Sequence, residues 1–187
     1  KGELRLDETD LAMIRDLYDG ELVRIDKALS QLIGDWNQSG RGQGVVLVTA
    51  DHGEYLGEHG QIGHGFSVFR EVTHVPLVIA APGRLRRGQT VDTPVQLSDV
   101  FDTLLELADL ESSAPKSLVA VADGAVRSGP IRAAAWPMAD WAQKVGGRFA
   151  VGHRLYREAD DVLLLDTTGA VALFHARDTA MMNDRSV

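Results

Sequence analysis

The chain has 187 residues, of which 44% are apolar and 25% charged, the size and composition of a globular protein with a substantial core. Its net charge of −8 argues against general nucleic-acid binding, which needs a basic face. The sequence contains no cysteine, which excludes disulfides, thiolate zinc sites and a cysteine nucleophile, and no apolar run reaches the roughly 18–20 residues that span a membrane.

The first part of the sequence predicts a long helix followed by a buried strand. Apolar residues recur at spacings of three and four over residues 8–37, which is typical of one helix. After a glycine-containing loop, residues 45–50 form an apolar run that predicts a buried strand of the kind found in parallel sheets. A helical turn is expected over 66–71, and a second strand over 77–81 follows Pro76.

The remaining sequence changes character near residue 131. A short strand is expected near 89–95, a helix over 98–110, and a loop over 111–130. From residue 131 onward, short β-like runs separated by turn signals predict a small antiparallel sheet. The strands expected there are 149–151, 155–157, 162–166 and 171–174.

The residues that follow the first strand suit a metal site. Asp51 and His52 stand where the regular alternation of a strand ends, so both side chains can turn toward one ion, and Gly53 lets the backbone bend beside them. A carboxylate oxygen with an imidazole nitrogen suits Mn²⁺ or Zn²⁺ and does not exclude Ca²⁺. The alternative is an aspartate that caps the next turn and a histidine that packs on the sheet.

The chain closely resembles the sulfatase family of the alkaline-phosphatase-like superfamily in two segments, DHGEYLGEHGQIGHG (51–65) and FREVTHVPLVIAAPG (69–83). The flanking helices match more loosely. The resemblance implies an α/β fold, with a mainly parallel sheet flanked by helices and then a small antiparallel β subdomain. Residues 1–130 would form the C-terminal portion of the catalytic core, and residues 131–187 the subdomain.

The resemblance also implies roles for individual residues. Asp51 and His52 would be two protein ligands of a divalent metal, most often Ca²⁺, with Mn²⁺ and Mg²⁺ as the alternatives. His64 falls where many members place a lysine that touches the sulfate, so it is the implied catalytic residue; the alternative is an ordinary loop histidine. The other polar side chains of these segments are expected to be structural or exposed: Glu54, Glu58, His59 and His74.

The family's nucleophile is absent from this sequence. Members make it, as formylglycine, from Cys or Ser in a C/S-x-P-x-R segment near the N-terminus, and they complete the metal shell with an early Asp-Asp pair. The near match from Ser113 to Ser117 lacks the arginine and follows the metal motif. The resemblance therefore implies that these residues are the C-terminal part of a larger enzyme, whose N-terminal remainder supplies the nucleophile. On their own they are expected to hydrolyse no sulfate ester.

The implied function is hydrolysis of sulfate esters by the larger enzyme, with a sulfated small molecule or carbohydrate as substrate. One alternative is a related phosphodiesterase, phosphonate hydrolase or phosphoglycerol transferase, which share the Asp-His pair. Another is a non-catalytic binding domain with the same fold. No nucleic acid and no membrane span are expected; the N-terminal remainder is the expected partner, and an oligomer is compatible with the resemblance.

Overall fold

The computed structural model describes residues 6–111, 116–144 and 146–178. Its first element is helix α1 (Glu8–Trp36), as predicted from the apolar spacing. The Asp7 side chain caps this helix by accepting hydrogen bonds from the backbone amides of Thr9 and Asp10, which satisfies amides that have no partner within the first turn. Five residues of π-helix, Asn37–Arg41, end it. No helix among the described residues is long and apolar enough to cross a membrane.

Strand β1 (Val46–Thr49) pairs with strand β4 (Leu77–Ala80), and both lie where the apolar runs predicted strands. Their pairing is antiparallel, with Val46 opposite Ala80, so the expectation of a parallel strand is wrong for this pair. The chain between them forms a two-stranded hairpin, β2 (Tyr55–Leu56) and β3 (Ile62–Gly63), and a short helix, α2 (Arg70–Thr73). It contains no crossover helix of the kind that parallel strands require, and the chain therefore returns in the opposite direction.

Between β4 and residue 130 the described chain contains two helices joined by turns and irregular segments. Helix α3 (Asp99–Leu107) lies within the predicted 98–110 helix. Helix α4 (Leu118–Ala122) lies in the region expected to be a loop, and no strand forms at 89–95, where Asp92 and Pro94 interrupt the β pattern. The expected loop from 112 to 115, with Ser113, lies outside the described residues.

The C-terminal part is a four-stranded antiparallel sheet in the order β5-β6-β7-β8, which confirms the predicted architecture. Three predicted runs lie within β6 (His153–Glu158), β7 (Asp161–Asp166) and β8 (Val171–His175). The run at 149–151 instead lies largely in a 3₁₀ turn, Gly147–Ala150. The sequence analysis missed two elements, strand β5 (Ile131–Ala135) and helix α5 (Ala139–Lys144).

Two small apolar clusters join the C-terminal sheet to the segment that follows His64. Phe66 packs in one cluster with Tyr55, Val72 and Phe149. Val68, two residues further on, packs in the other cluster against the C-terminal sheet, through Leu155, Val162 and Phe174. Because Phe66 and Val68 pack in different clusters, the segment that follows His64 is fixed from two sides.

A buried ion pair anchors helix α3. The Asp99 carboxylate is fully buried and accepts hydrogen bonds from Arg127 Nε at 2.6 Å and Nη2 at 2.9 Å. Arg127 also donates to the Gly129 carbonyl at 2.8 Å, just before β5. This pair therefore links α3 to the start of the C-terminal sheet.

We expect Arg127→Met to lower the free energy of unfolding by about 3–5 kcal/mol, because the substitution leaves the Asp99 carboxylate buried without its cation. Arg24→Met removes an exposed pair with Glu21 and should cost at most about 0.5 kcal/mol. Urea unfolding of both variants measures the difference. Equal midpoints for the two variants would contradict this assignment.

Candidate active site

The side chains of Asp51 and His52 converge directly after β1. Asp51 Oδ2 lies 3.7 Å from His52 Nε2, and the Asp51 side chain is 90% exposed. The His52 backbone amide donates to Asp51 Oδ1 at 3.1 Å, which holds the carboxylate beside the ring. The two sequence-predicted ligands therefore face one space at the end of the strand.

The His52 ring has a defined orientation. Its Nδ1 lies 3.0 Å from the Gly53 carbonyl oxygen, which can only accept, so Nδ1 donates and Nε2 is the free ring nitrogen. Ligating histidines in proteins are usually held in this way by their second nitrogen. Two ligands that each lie about 2.4 Å from one cation, at an angle of about 100°, are separated by about 3.7 Å. The Asp51–His52 separation matches that value, so the donor pair fits a divalent ion.

His64, which directly follows strand β3, reaches the same place. Its ring lies 4.0 Å from the His52 ring, centroid to centroid. Its Nδ1 lies 3.0 Å from Glu54 Oε2, an acceptor, which leaves Nε2 as the free nitrogen of this ring too. Glu54 was expected to lie on the loop surface; the structure instead places it against His64. Glu54 and His64 are ten residues apart in the sequence and flank the hairpin on either side. This spacing predicts their contact only if the hairpin between them is already known.

The described residues do not form a complete set of metal ligands. Within the described ranges, no group of three or more His, Cys, Asp or Glu side chains forms a metal-binding arrangement. Asp51 and His52 thus form a pair of donors, and a complete shell needs further ligands.

The other polar residues of the loop have structural positions. His59 stacks on Phe69 with the ring centroids 4.4 Å apart, and its Nε2 lies 3.5 Å from Glu71 Oε2, which agrees with the expected structural role. Glu58 accepts a hydrogen bond from the Leu56 amide at 2.7 Å. Tyr55 is fully buried, and its hydroxyl contacts the Ser67 hydroxyl.

The loop is fixed by a close backbone approach at Gly53. The Gly53 amide donates to the Val72 carbonyl at 2.9 Å. A Cβ at this position would overlap the Glu71 carbonyl oxygen and lie 3.1 Å from the carbonyl carbon. Only glycine fits here, so the position of Asp51 and His52 relative to α2 depends on this residue.

Asp51, His52 and His64 line the same cleft, which has a volume of about 1290 Å³. Arg70 and Arg157 also line it. Burial lowers the pKa of His74 below its usual value, and the charges of these two arginines lower it further. Arg70 and Arg157 therefore place positive charge beside His74 in the wall of this cleft.

Comparison with known proteins identifies a family. A sulfatase family model matches residues 6–110. Sulfatase YidJ of Escherichia coli K12 is 36% identical over 87 residues, which are 46% of this chain and 17% of YidJ. Arylsulfatase K of Xenopus laevis is 34% identical over 105 residues, 56% of this chain and 19% of that protein. The chain thus spans about a fifth of the length of the curated relatives it matches.

Solved structures have the same fold. BT4656, in complex with its substrate D-glucosamine-2-N,6-O-disulfate, matches with a TM-score of 0.72 and 20% identity over 87% of this chain and 34% of that chain. A phosphonate monoester hydrolase of Agrobacterium radiobacter matches with a TM-score of 0.75 and 22% identity over 94% of this chain and 37% of that chain. These similarities confirm the fold class predicted from the sequence.

We expect Gly53→Ala to lower the free energy of unfolding by about 1–3 kcal/mol, because the added methyl overlaps the Glu71 backbone. Gly20→Ala is the control: it lies inside α1, and its Cβ meets no atom within 4 Å. Removing a helical glycine should stabilise by about 0.5–1 kcal/mol. Thermal and urea unfolding measure both changes, and a neutral Gly53→Ala would refute the steric argument.

Tyr55 predicts a pH dependence of stability. Burial raises the pKa of Tyr55 to about 12, whereas the unfolded chain titrates near 10. The folded state therefore keeps a proton that the unfolded state loses, and this contribution is present below pH 10 and disappears as pH rises toward 12. Wild type should lose roughly 2 kcal/mol more than Tyr55→Phe over this range.

Urea unfolding of wild type and Tyr55→Phe at several pH values checks the Tyr55 prediction. Below pH 9 the difference in free energy of unfolding between the two proteins should be constant, which provides the internal control. The prediction would be contradicted if the free energies of unfolding of the two proteins differed by the same amount at every pH up to 12.

Proposed function

This chain belongs to the sulfatase family, and we propose that it supplies part of the active site of an enzyme that hydrolyses sulfate esters. The observation that carries the proposal is the convergence of Asp51, His52 and His64 at one edge of a single cleft. A scaffold without chemistry has no physical need for a carboxylate and two oriented imidazoles in contact with each other.

In this proposal Asp51 and His52 hold a divalent cation, most simply Ca²⁺, with Mn²⁺ and Mg²⁺ as alternatives. The donor separation of 3.7 Å and the fixed Nδ1 of His52 support it. A bound cation would supply positive charge that offsets the negative charge of a sulfuryl group. Because the described part of the chain contributes two ligands, the ion is held weakly until further ligands from the remainder of the enzyme complete the shell.

His64 contacts the sulfuryl oxygens or the leaving-group oxygen. Glu54 accepts the hydrogen bond from Nδ1–H, so Nε2 is the atom that meets the substrate. In the imidazolium form, in which both ring nitrogens carry a proton, Nε2–H donates a proton or hydrogen bond there. A lysine at this place would act as a flexible point charge, whereas an imidazole needs a second group to orient it. Glu54 meets that need.

The nucleophile comes from residues that this sequence does not contain. A formylglycine in the remainder of the enzyme would attack sulfur, and the sulfated carbohydrate bound by the structural relative BT4656 suggests the substrate class. The 187 residues alone should therefore turn over no aryl sulfate.

A second candidate is phosphonate or phosphate ester hydrolysis on the same site. The fold matches the Agrobacterium phosphonate monoester hydrolase over 94% of this chain. The multifunctional alkaline phosphatase superfamily protein PehA of Trinickia caryophylli is 34% identical over 106 residues, 54% of this chain and 20% of that protein. Methyl sulfate and methyl methylphosphonate carry the same charge, so their relative affinities for the Ca²⁺-loaded chain discriminate between the two chemistries.

The metal proposal is tested by titrating the 187-residue chain with Ca²⁺ and observing backbone amide signals by NMR. We expect a dissociation constant of about 10⁻⁴ to 10⁻³ M, with shifts centred on residues 51–54. Asp51→Asn should weaken binding about tenfold or more because it removes a charged ligand. Asp92→Asn, also in the wall of the cleft, is the matched control and should bind as wild type does. Equal affinities for wild type and Asp51→Asn would refute the proposed ligand.

A further inference from the structure

We propose that Trp136 and Arg154 form a subsite beside the cleft for a pyranose ring that carries a sulfate or carboxylate group. The subsite would select the sugar part of the substrate, away from the ester that reacts. The inference adds to the proposed function a binding site for the sugar part of the substrate, and it rests on that function.

The first observation is an exposed indole at a strand end. Trp136 directly follows β5, and 62% of its surface is accessible. A large planar ring held on a sheet edge offers an apolar face at little cost in side-chain entropy, which is why aromatic side chains serve as contact platforms. The ring faces of pyranoses carry C–H groups that pack on such a surface.

The second observation is a cation fixed on that indole. The Arg154 guanidinium carbon lies 5.1 Å from the centroid of the Trp136 ring, within the distance of a cation–π interaction. Arg154 lies on β6 opposite Ala134, so the pairing of the two strands sets its position. Within the described ranges no carboxylate forms an ion pair with Arg154. Its planar donor fork remains available for a sulfate or carboxylate.

The third observation is a pocket of matching size. Trp136 and Arg154 line a pocket of about 330 Å³, at the lower end of the range for small-molecule sites and large enough for one sugar ring. Trp136 also lines the larger cleft that contains Asp51, His52 and His64. The indole therefore forms part of the wall of both cavities.

A contact made by the loop after β5 connects the Trp136 region to the candidate active site. The Met138 methyl lies 3.3 Å from the position that a Cβ on Gly65 would take, and Gly65 follows His64. The loop that carries Trp136 therefore packs against the loop that carries His64. A saccharide that stacks on the indole has a short path to the reacting group.

The pocket also contains an acceptor for sugar hydroxyls. Asp166 lines it, and its Oδ1 accepts hydrogen bonds from the Thr168 and Ala170 amides in its own turn. These bonds, together with that from the Thr168 hydroxyl, lower the pKa of Asp166, so the carboxylate stays charged. A carboxylate for hydroxyls and a guanidinium for the anionic substituent suit an anionic sugar better than a simple anion.

The test uses NMR on the ¹⁵N-labelled 187-residue chain and follows the side-chain N–H signals of its three tryptophans. The probe is D-glucosamine-2-N,6-O-disulfate, with glucuronate, uncharged methyl glucoside and inorganic sulfate as comparison ligands at equal ionic strength. The Trp136 signal should shift when either anionic sugar is added. The protein should bind both anionic sugars about tenfold more tightly than methyl glucoside or sulfate. The Trp141 signal, which lies outside both cavities, should stay in place.

Two variants and one control localise the binding. Trp136→Ala and Arg154→Gln should each weaken binding of the disulfated sugar about tenfold, read from the amide shifts of residues 152–154. Arg177→Gln removes an exposed arginine of the same subdomain that lines neither cavity, and it should bind as wild type does. Because the side chains of Trp136 and Arg154 are both exposed, unchanged amide spectra away from the pocket should confirm that both variants fold.

The outcomes separate this inference from the proposed function. If Trp136→Ala binds the disulfated sugar as wild type does, or if inorganic sulfate binds as tightly as the sugar, the subsite is refuted. The subsite is also refuted if the wild-type protein binds no anionic sugar. Ca²⁺ titration of the same samples reports on Asp51 independently, so loss of the subsite leaves the metal proposal intact, and the converse also holds.

Discussion

The candidate site depends on one close backbone contact, between Gly53 and the segment Glu71–Val72. The amide hydrogen bond of 2.9 Å and the lack of room for a Cβ join the end of β1 to helix α2. The first of these segments carries Asp51 and His52, and the chain between them carries His64. Val72 is at the same time part of the cluster that contains Tyr55. Packing therefore sets the distance between the polar side chains, so the apolar core pre-organises them before any ligand arrives.

The C-terminal sheet is part of this support. Phe149 and Leu155 lie beyond residue 130, and each closes one of the two clusters on the chain after His64. The division of the chain at residue 130 stays a prediction. The two apolar clusters contain residues from both sides of that position. The antiparallel sheet holds the loop that carries His64 from one side, while the Gly53 contact holds it from the other. Changes in the sheet can therefore reach the cleft without touching a polar residue.

Local sequence patterns predicted those helices and strands whose own residues favour that structure. Helix α1 has a long periodic stripe and a capping aspartate, and β4 has an uninterrupted apolar run. Strand β5 was missed because its sequence, IRAAA, has low β-propensity; its pairing with β6 makes it a strand. The predicted run at 149–151 failed for the opposite reason, since Gly146 and Gly147 permit a tight turn in which the Phe149 amide donates to the Gly146 carbonyl. Strand direction is equally non-local, which is why β1 was misassigned.

The candidate site shows the same division between local and non-local information. Asp51, His52 and His64 lie within one short motif, so the sequence was enough to predict all three as site residues, and the structure brings them together. Glu54 was undervalued because its partner is ten residues away across a hairpin. Yet this contact decides which nitrogen of His64 remains free, because an imidazole has two nitrogens and only a fixed acceptor determines which one can meet a ligand. The Gly53 carbonyl does the same for His52. Both rings are thus held by Nδ1, with their planes tilted by 31° and their centroids 4.0 Å apart, and this shared restraint fixes where each free Nε2 lies.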